Sequence, residues 1–234
     1  MELRGATVLI TGGSSGIGRA IARTLSDAGA RVAITGRDEK RLTEAAHALN
    51  ALPVRADVSD EADVRRTYEE VLRAFGHLDI LVNNAGKGLF KPLIDMQRSE
   101  FDSVLSVNMT GAMLMAREAA RHFIPRKQGN IVNMGSTASH RGAPNGTAYY
   151  ASKAALRCMT ECWRAELRQH NIRVFLINPS EVLTGFGAAS GFPQKDNSTK
   201  LRGEEIAHVV KAVLEMDDRG FTTELTVFAT NPKD

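Results

Sequence analysis

Apolar and polar positions follow two alternating patterns along the whole chain. Short, mostly apolar and often β-branched runs predict strands, and the segments between them, with apolar residues at helical spacing, predict helices. The predicted strands cover residues 6–10, 31–35, 52–56, 78–82, 130–134, 172–177 and 224–228. The predicted helices cover residues 16–28, 38–50, 60–75, 99–123, 147–170 and 203–216.

The order of these elements indicates the fold class. Strands that are apolar along their whole length are typical of a sheet covered on both faces. Alternation with helices predicts a parallel sheet, and right-handed crossovers favour a three-layer α/β, doubly wound (Rossmann) fold of about seven strands, with helices on both faces. A closed barrel is the alternative, but it needs an eighth strand. We expect residues 1–234 to form a single domain.

Composition and charge exclude several classes of protein. Hydrophobic residues make up 43% and charged residues 24% of the 234 residues, as in globular proteins. No apolar run approaches the ~18 residues of a membrane span, and the chain does not begin like a signal peptide, so we expect a cytoplasmic protein with no membrane partner. The net charge is +3, but like charges do not cluster, and we expect no nucleic-acid partner. The six histidines are scattered, so we expect no metal.

A glycine-rich loop follows the first predicted strand. It runs Thr11-Gly12-Gly13-Ser14-Ser15-Gly16-Ile17-Gly18 into the first predicted helix. Glycines allow the backbone to approach a pyrophosphate, and the helix start supplies unpaired N–H groups, so the loop predicts a dinucleotide site. The same letters fit a hydrolase motif with Ser14 as nucleophile, but no earlier loop exists to supply an oxyanion hole.

The end of the second predicted strand indicates which dinucleotide is preferred. A carboxylate there would accept the 2′-hydroxyl of NAD, but the position holds Gly36. Arg37, with Lys40 and Arg41 close behind, would pair with the 2′-phosphate of NADP. We therefore expect NADP(H) rather than NAD(H). Asp38 keeps NAD(H) open as the alternative, if the strand ends one residue later.

Tyr149 and Lys153 begin the helix predicted over residues 147–170, and residues four apart share a helix face. An ammonium beside a phenol lowers the phenol pKa from about 10, which would make Tyr149 a proton donor near neutral pH. Ser136 follows the fifth predicted strand, where its hydroxyl would orient a substrate oxygen. By spacing alone, a tyrosine and a lysine four residues apart on a helix are more often an ordinary surface pair.

These motifs occur together and in order, and with them the sequence resembles the short-chain dehydrogenase/reductase family over essentially its whole length. The resemblance rests on the glycine loop and on Asp57-Val58, Asn83-Asn84-Ala85-Gly86, Asn108, Ser136 and Tyr149-x-x-x-Lys153. It implies that Ser136 binds the substrate oxygen and Tyr149 transfers the proton. Lys153 would hold the nicotinamide ribose and tune Tyr149, and Asn108 would place a water that connects Lys153 to solvent.

The cofactor site expected from these motifs is larger. It comprises Gly12, Ser14, Ser15, Gly16, Ile17, Gly18, Arg37, Asp57, Val58, Asn84, Ala85, Gly86, Tyr149, Lys153, Pro179, Val182 and Thr184. Ser180 stands where the family usually has a glycine. Substrate choice is expected in residues 184–202, because ligands bind beyond the carboxyl ends of strands in open sheets. His140 and Arg141, just past Ser136, are further candidates for the mouth of that site, with a solvated loop as the alternative.

The resemblance implies an NADP(H)-dependent oxidoreductase of a ketoacyl-reductase-like branch. It would transfer a hydride between nicotinamide and a carbonyl or secondary alcohol, with a 3-oxoacyl thioester or a small ketone as substrate. A non-catalytic NADP(H)-binding sensor or scaffold is the alternative, although the complete catalytic set argues against it. The family also implies a homodimer or homotetramer formed through the two longest predicted helices. We expect Cys158 and Cys162 to be buried or at that interface.

Overall fold

The computed structural model describes residues 1–191 and 199–231, and its described strands form one parallel sheet. The strands are β1 (Thr7–Ile10), β2 (Arg31–Gly36), β3 (Leu52–Arg55), β4 (Ile80–Asn83), β5 (Gly129–Met134), β6 (Ile172–Pro179) and β7 (Glu224–Val227). Their order is β3-β2-β1-β4-β5-β6-β7, and every neighbouring pair is parallel. The predicted seven-stranded sheet is confirmed.

Helices cover both faces of this sheet. They are α1 (Gly16–Asp27), α2 (Glu39–Leu49), α3 (Glu61–Phe75), α4 (Arg98–Leu105), α5 (Ala112–Arg126), α6 (Thr147–Leu167), α7 (Gly185–Ala189) and α8 (Gly203–Glu215). One core cluster joins α1, α2 and α8 to the sheet, and the other joins α3, α5 and α6 to it. Adjacent strand residues divide between the clusters, as Ile10 and Leu9 do, because side chains alternate across a strand. The doubly wound fold is therefore confirmed.

The topology places one crevice at the centre of the sheet. The chain runs from β1 outward through β2 to β3, then returns to place β4 on the other side of β1. The loops that follow β1 and β4 therefore leave the sheet in opposite directions. Open α/β sheets bind ligands outside the carboxyl ends of the strands at such a switch point.

The helix predicted over residues 99–123 is the clearest departure from expectation. It is divided into α4, a π-helical turn (Ser106–Gly111) and α5. Gly111 packs against Val58, and a Cβ there would lie 2.7 Å from Val58 Cγ2. A π-helical turn inserts an extra residue into the helix and is common at functional sites. Sequence periodicity cannot reveal it, because its partners lie far away in the sequence.

Two smaller differences concern α6 and α7. Cys158 and Cys162 are exposed on α6, so the expectation that they are buried is wrong, and a place at an interface stays a prediction. The five-residue helix α7 was not predicted, because its glycine- and alanine-rich sequence has no apolar periodicity. Among residues 1–191 and 199–231, no helix combines the length and the apolar character that a membrane crossing requires.

Candidate active site

The glycine loop forms a cradle that side chains would fill. Gly12 and Gly16 adopt φ values of +64° and +52°, in the left-handed region that favours glycine. A Cβ at Gly18 would lie 2.4 Å from Asn84 Nδ2 and 2.5 Å from the carbonyl oxygen of Gly12. The backbone is thus exposed above the start of α1, where free N–H groups and the helix dipole attract a phosphate. These residues fit a pyrophosphate.

The other expected members of the loop lie around this cradle. Ser14 is buried, and Ser15 is the exposed residue that precedes α1, with no hydrogen bond from its side chain to the helix start. Ile17 is partly buried and packs on the core beneath the loop. Ser15 therefore presents a hydroxyl at the mouth of the cradle, whereas Ile17 anchors the loop to the sheet.

Thr11, to which the sequence analysis gave no role, ties the two crevice loops together. Its hydroxyl oxygen accepts hydrogen bonds from the backbone N–H groups of Asn84 and Ala85, both at 3.0 Å. The Asn84 side chain returns hydrogen bonds to the carbonyl oxygens of Thr11 and Gly12, at 2.9 and 3.2 Å. Gly86 follows, and a Cβ there would lie 3.9 Å from Lys153 Nζ. These contacts join the glycine cradle to the candidate catalytic residues.

The end of β2 holds the groups that the sequence analysis expected to discriminate between dinucleotides. Gly36 faces Ser14, and a Cβ at Gly36 would lie 3.1 Å from Ser14 Oγ. The Arg37 guanidinium is exposed and lies 3.7 Å from the Asp57 carboxylate. Asp38 caps α2, where its carboxylate accepts a hydrogen bond from the Arg41 backbone N–H at 3.0 Å. The Asp38 carboxylate, which left NAD(H) as the alternative cofactor in the sequence analysis, is therefore occupied as the cap of α2.

Asp57 and Val58 shape the region expected for the adenine. Asp57 Oδ1 accepts hydrogen bonds from the Ser59 backbone N–H at 2.9 Å and the Ser59 hydroxyl at 2.6 Å. Burial acts to raise the pKa of Asp57, but these bonds and the nearby Arg37 outweigh it and hold that pKa below its usual value. Val58 is buried against Gly111. The ionised Asp57 carboxylate thus lies beside the small apolar surface that Val58 and Gly111 form.

Ser136, Tyr149 and Lys153 converge beyond the carboxyl end of β5. Ser136 lies two residues after β5 and begins a short 3-10 turn (Thr137–Ser139), and its hydroxyl accepts a hydrogen bond from the Ala138 N–H at 3.1 Å. The Ser136 side chain lies close enough to Tyr149, in the first turn of α6, to influence its pKa. Lys153 Nζ lies 5.9 Å from the centre of the Tyr149 ring. Lys153 is buried, whereas Ser136 and Tyr149 are partly exposed.

The protonation of this group differs from the expectation. Burial raises the pKa of Tyr149, and the hydrogen bond with Ser136 only partly opposes this effect. Burial also lowers the pKa of Lys153 to about 8, and its Nζ donates to the Met134 carbonyl oxygen at 2.7 Å. The prediction that Lys153 lowers the Tyr149 pKa is therefore wrong for the protein alone, because spacing on a helix does not reveal how deeply both groups are buried.

Asn108 lies in the π-helical turn, where it joins three segments. Its side-chain amide donates to the carbonyl oxygen of Lys87 at 2.8 Å and to the Ser152 hydroxyl at 2.9 Å, and it accepts from the Lys87 N–H at 2.8 Å. The Ser152 hydroxyl in turn donates to the Tyr149 carbonyl oxygen at 2.7 Å. Asn108 therefore holds the catalytic helix in place, and its water relay to Lys153 stays a prediction.

The segment after β6 closes one side of the site. Pro179 ends β6, and Val182 is buried and forms an isolated bridge with Leu201. The Thr184 hydroxyl caps α7, and a Cβ at Gly16 would lie 3.3 Å from Thr184 Cγ2. Thr184 therefore reaches the cofactor cradle from the side opposite α1, and Pro179 and Val182 lie on the segment that leads to it. Of the expected substrate segment 184–202, residues 192–198 lie outside the described part of the chain.

Aromatic side chains that the sequence analysis missed surround Tyr149. The ring centres of Phe90 and Phe186 lie 5.5 and 5.6 Å from that of Tyr149, and the Tyr150 ring lies 6.1 Å away. Gly88 lies under α7, where a Cβ would be 2.8 Å from Phe186 Cζ. The only available signal was the position of Phe186, two residues after Thr184. Tyr149, the candidate proton donor, is thus part of an apolar, aromatic surface.

Comparison with known proteins gives a consistent result. A family model described as short chain dehydrogenase matches residues 6–193. The chain is 35% identical over 236 residues to the L-xylulose reductase of Bos taurus, which covers 97% of this chain and 96% of that protein. It is 31% identical over 237 residues to a 3-oxoacyl-(acyl-carrier-protein) reductase of Thermotoga maritima, with 95% of each chain covered.

Solved structures agree over nearly the whole chain. A 3-ketoacyl-(acyl-carrier-protein) reductase from Brucella melitensis complexed with NADH superposes with a TM-score of 0.91 at 32% identity, covering 97% of this chain and 98% of that chain. A metagenomic short-chain oxidoreductase in complex with NADP has a TM-score of 0.86 at 34% identity, covering 99% and 100%. The chain belongs to the short-chain dehydrogenase/reductase family, and it is an oxidoreductase enzyme of that family.

Proposed function

We propose that this chain is an NADP(H)-dependent oxidoreductase that transfers a hydride between nicotinamide and a carbonyl or secondary alcohol. The observation that carries the proposal is the convergence of Ser136 and Tyr149 with Lys153, which lies one helical turn further on, with its Nζ 5.9 Å from the centre of the Tyr149 ring. The glycine cradle lies beside this group, linked to it through Thr11 and Gly86. We further propose that one domain carries both the cofactor site and the substrate site.

The roles of the side chains follow from this geometry. When bound, the nicotinamide cofactor supplies or accepts the hydride. In the reducing direction, the Ser136 hydroxyl donates a hydrogen bond to the substrate carbonyl oxygen, where negative charge develops. The Tyr149 hydroxyl donates its proton to the same oxygen as the alcohol forms. Lys153 supplies positive charge beside Tyr149 and binds the nicotinamide ribose.

Preference for NADP(H) is supported by the end of β2. Gly36 offers no carboxylate to the ribose, and Asp38 is engaged as the cap of α2. Arg37 is exposed, and its guanidinium is free to turn from Asp57, 3.7 Å away, toward a 2′-phosphate. Arginine recognises phosphate groups by paired, charge-assisted hydrogen bonds. We therefore propose NADP(H) as the cofactor and NAD(H) as the weaker ligand.

The substrate site is supported by the aromatic wall. Phe90 and Phe186 flank Tyr149 on two sides, and α7 packs against Gly88. We propose a small ketone or the 3-oxo end of an acyl thioester as substrate, since the aromatic rings next to Tyr149 offer an apolar surface to the carbon chain beside the reacting carbonyl. We also propose that the chain forms a homodimer or homotetramer and is cytoplasmic.

A carbonyl panel tests the proposal directly. Purified protein is mixed with NADPH or NADH and with small aliphatic ketones, aryl ketones or a β-ketoacyl thioester, and the loss of cofactor absorbance is followed. We expect turnover of at least one carbonyl, with a higher kcat/KM for NADPH than for NADH. Tight NADPH binding with no turnover across the carbonyl panel and a matching alcohol panel would instead favour the sensor alternative. Sedimentation of only a monomer-sized species at micromolar concentration would contradict the oligomer.

A further inference from the structure

A polar network behind Ser136 has no part in the proposed chemistry. Asn178 in β6 is completely buried, and its side chain is hydrogen-bonded at both ends. Its Oδ1 accepts from the Ser136 backbone N–H at 3.1 Å. Its Nδ2 donates to Glu224 Oε1 at 2.7 Å. Glu224 is the first residue of β7, at the edge of the sheet, so this network joins an edge strand to the candidate catalytic serine.

The carboxylate of Glu224 determines which way the Asn178 amide faces. Turned around, the amide would direct its N–H₂ group at the Ser136 N–H and its oxygen at the carboxylate. Each contact would then join two donors or two acceptors, at a site with no exposure to water. With Glu224 present, only the observed orientation satisfies all the groups. The contact at 2.7 Å therefore keeps an acceptor in front of the Ser136 N–H.

There is little room for the backbone of this segment to move while the amide is in place. A Cβ at Gly135 would lie 2.2 Å from Asn178 Oδ1, so the amide oxygen lies directly against the residue that precedes Ser136. The Ser139 hydroxyl oxygen also accepts from the Ser136 N–H, at 3.3 Å. The position of the Ser136 hydroxyl opposite Tyr149 therefore depends on the Asn178 amide.

Glu224 is itself held from two other elements. His140, which follows the 3-10 turn, places Nε2 3.2 Å from Glu224 Oε1. Arg157 in α6 places Nε 3.5 Å from the same oxygen. The side chain of His140, a candidate for the substrate mouth, thus pairs with Glu224. The Glu224 carboxylate therefore contacts both the segment that carries Ser136, through His140, and the helix that carries Tyr149, through Arg157.

We propose that Glu224 is a positioning residue, which fixes the Ser136 backbone, and with it the Ser136 hydroxyl, through the Asn178 amide. This inference rests on the proposed function for its effect on turnover, but not for its effect on the backbone. It also gives β7, whose residues line no part of the catalytic group described above, a defined influence on the chemistry.

The test compares two substitutions of one side chain. Glu224→Ala removes the carboxylate that accepts from the Asn178 amide at 2.7 Å and leaves the more distant His140 Nε2, at 3.4 Å, next to that amide, whereas Glu224→Gln retains an acceptor oxygen. Glu215→Ala, which removes a carboxylate at the exposed end of α8, is the matched control. Hydrogen–deuterium exchange of peptides containing residues 135–140 is measured for each. We expect faster exchange in Glu224→Ala and wild-type exchange in Glu224→Gln and Glu215→Ala. Unchanged exchange in Glu224→Ala would overturn the proposal.

Turnover provides the second readout, with NADPH and the carbonyl that the wild-type protein reduces fastest. We expect Glu224→Ala to lower kcat about tenfold, since small misplacements of catalytic groups are costly, with the NADPH Kd unchanged and activity restored in Glu224→Gln. In a Ser136→Ala background the same substitution should have no further effect. An equal loss in that background would overturn the proposal. If Ser136→Ala and Tyr149→Phe leave turnover intact, the proposed function fails, and hydrogen exchange alone decides the positioning role.

Discussion

The two ends of the parallel strands contain similar polar residues but use them differently. At the amino end, Asp79 directly precedes β4, and its carboxylate accepts hydrogen bonds from the Thr7 N–H and the Thr7 hydroxyl, both at 2.9 Å. It also pairs with Arg126 at 3.0 Å and His77 at 3.1 Å. At the carboxyl end, the side chains of Ser136 and Tyr149 lie close together beside the glycine cradle.

The difference lies in what the polar groups are paired with. At the amino end, the Asp79 carboxylate pairs with Arg126 of α5 and accepts hydrogen bonds from Thr7 of β1. These contacts hold elements of the fold together. At the carboxyl end, glycines leave space, and buried ionisable groups have the protonation shifts that are typical of functional sites. We therefore expect substitutions at the carboxyl end to reduce activity with little effect on stability. Those at the amino end should do the reverse.

The largest effect is expected at Lys153. Lys153→Met removes the buried charge but nearly preserves the length of the side chain, so kcat should fall at least about a hundredfold. Because burial already disfavours the charged form, the thermal stability should not fall. Lys211→Met, on the outer face of α8, where Lys211 pairs with Glu215, is the control. Steady-state kinetics measures kcat, and a thermal melt measures Tm. A large loss of Tm with a normal kcat would contradict the claim that the carboxyl end serves activity rather than stability.

A smaller effect is expected from Arg37. This residue also lies at the carboxyl end of the sheet, but it would contact the cofactor rather than the substrate. Arg37→Ala should raise the Kd of NADPH roughly ten- to a hundredfold, as expected for losing charge-assisted hydrogen bonds, and leave that of NADH nearly unchanged. Titrations with both cofactors measure this ratio, with Arg98→Ala as an exposed control. Equal weakening of both cofactors would show that Arg37 does not recognise the phosphate.

The smallest effect on activity is expected at the amino end. Asp79→Asn should leave kcat unchanged and lower the free energy of unfolding by about 1–3 kcal/mol at pH 7, since buried donors lose their charged acceptor. Chemical denaturation measures the loss, and Asp95→Asn on an exposed turn is the control. A normal free energy of unfolding with reduced kcat would contradict the division between the two ends.

The same residue predicts a pH dependence. Burial acts to raise the pKa of Asp79, but hydrogen bonds from Thr7 and Arg126, together with His77, outweigh it and hold that pKa below 3.8. The folded protein therefore binds this proton less tightly than the unfolded chain does. The resulting stabilisation is present above the ordinary pKa and is lost as the pH falls through the lowered one. The stability gap between wild type and Asp79→Asn should accordingly narrow below about pH 4.

The sequence predicted the elements that depend on local pattern. All seven strands were expected, because an apolar run between turn residues is readable without knowledge of the fold. The π-helical turn was not, since it depends on the fit of Gly111 against Val58, far away in the chain. The short helix α7 depends on the cap at Thr184 and on its packing against Gly88.

The candidate site divides in the same way. The set of ordered motifs, through the family that it resembles, indicated Ser136, Tyr149 and Lys153 as neighbours, whereas their spacing alone did not. It did not reveal that burial dominates their pKa values, which depends on side chains from many segments. Nor did it reveal the contact between Asn178 and Glu224, which lie 46 residues apart and meet only because β6 and β7 are adjacent.

The central claim is that the Tyr149 hydroxyl transfers the proton at the carboxyl end of the sheet. The most direct measurement is a single-turnover reduction by Tyr149→Phe saturated with NADPH, alongside a titration of NADPH binding to the same variant. The account predicts that NADPH binds with nearly the wild-type Kd, while carbonyl reduction falls by at least about a hundredfold. Reduction at the wild-type rate would contradict it.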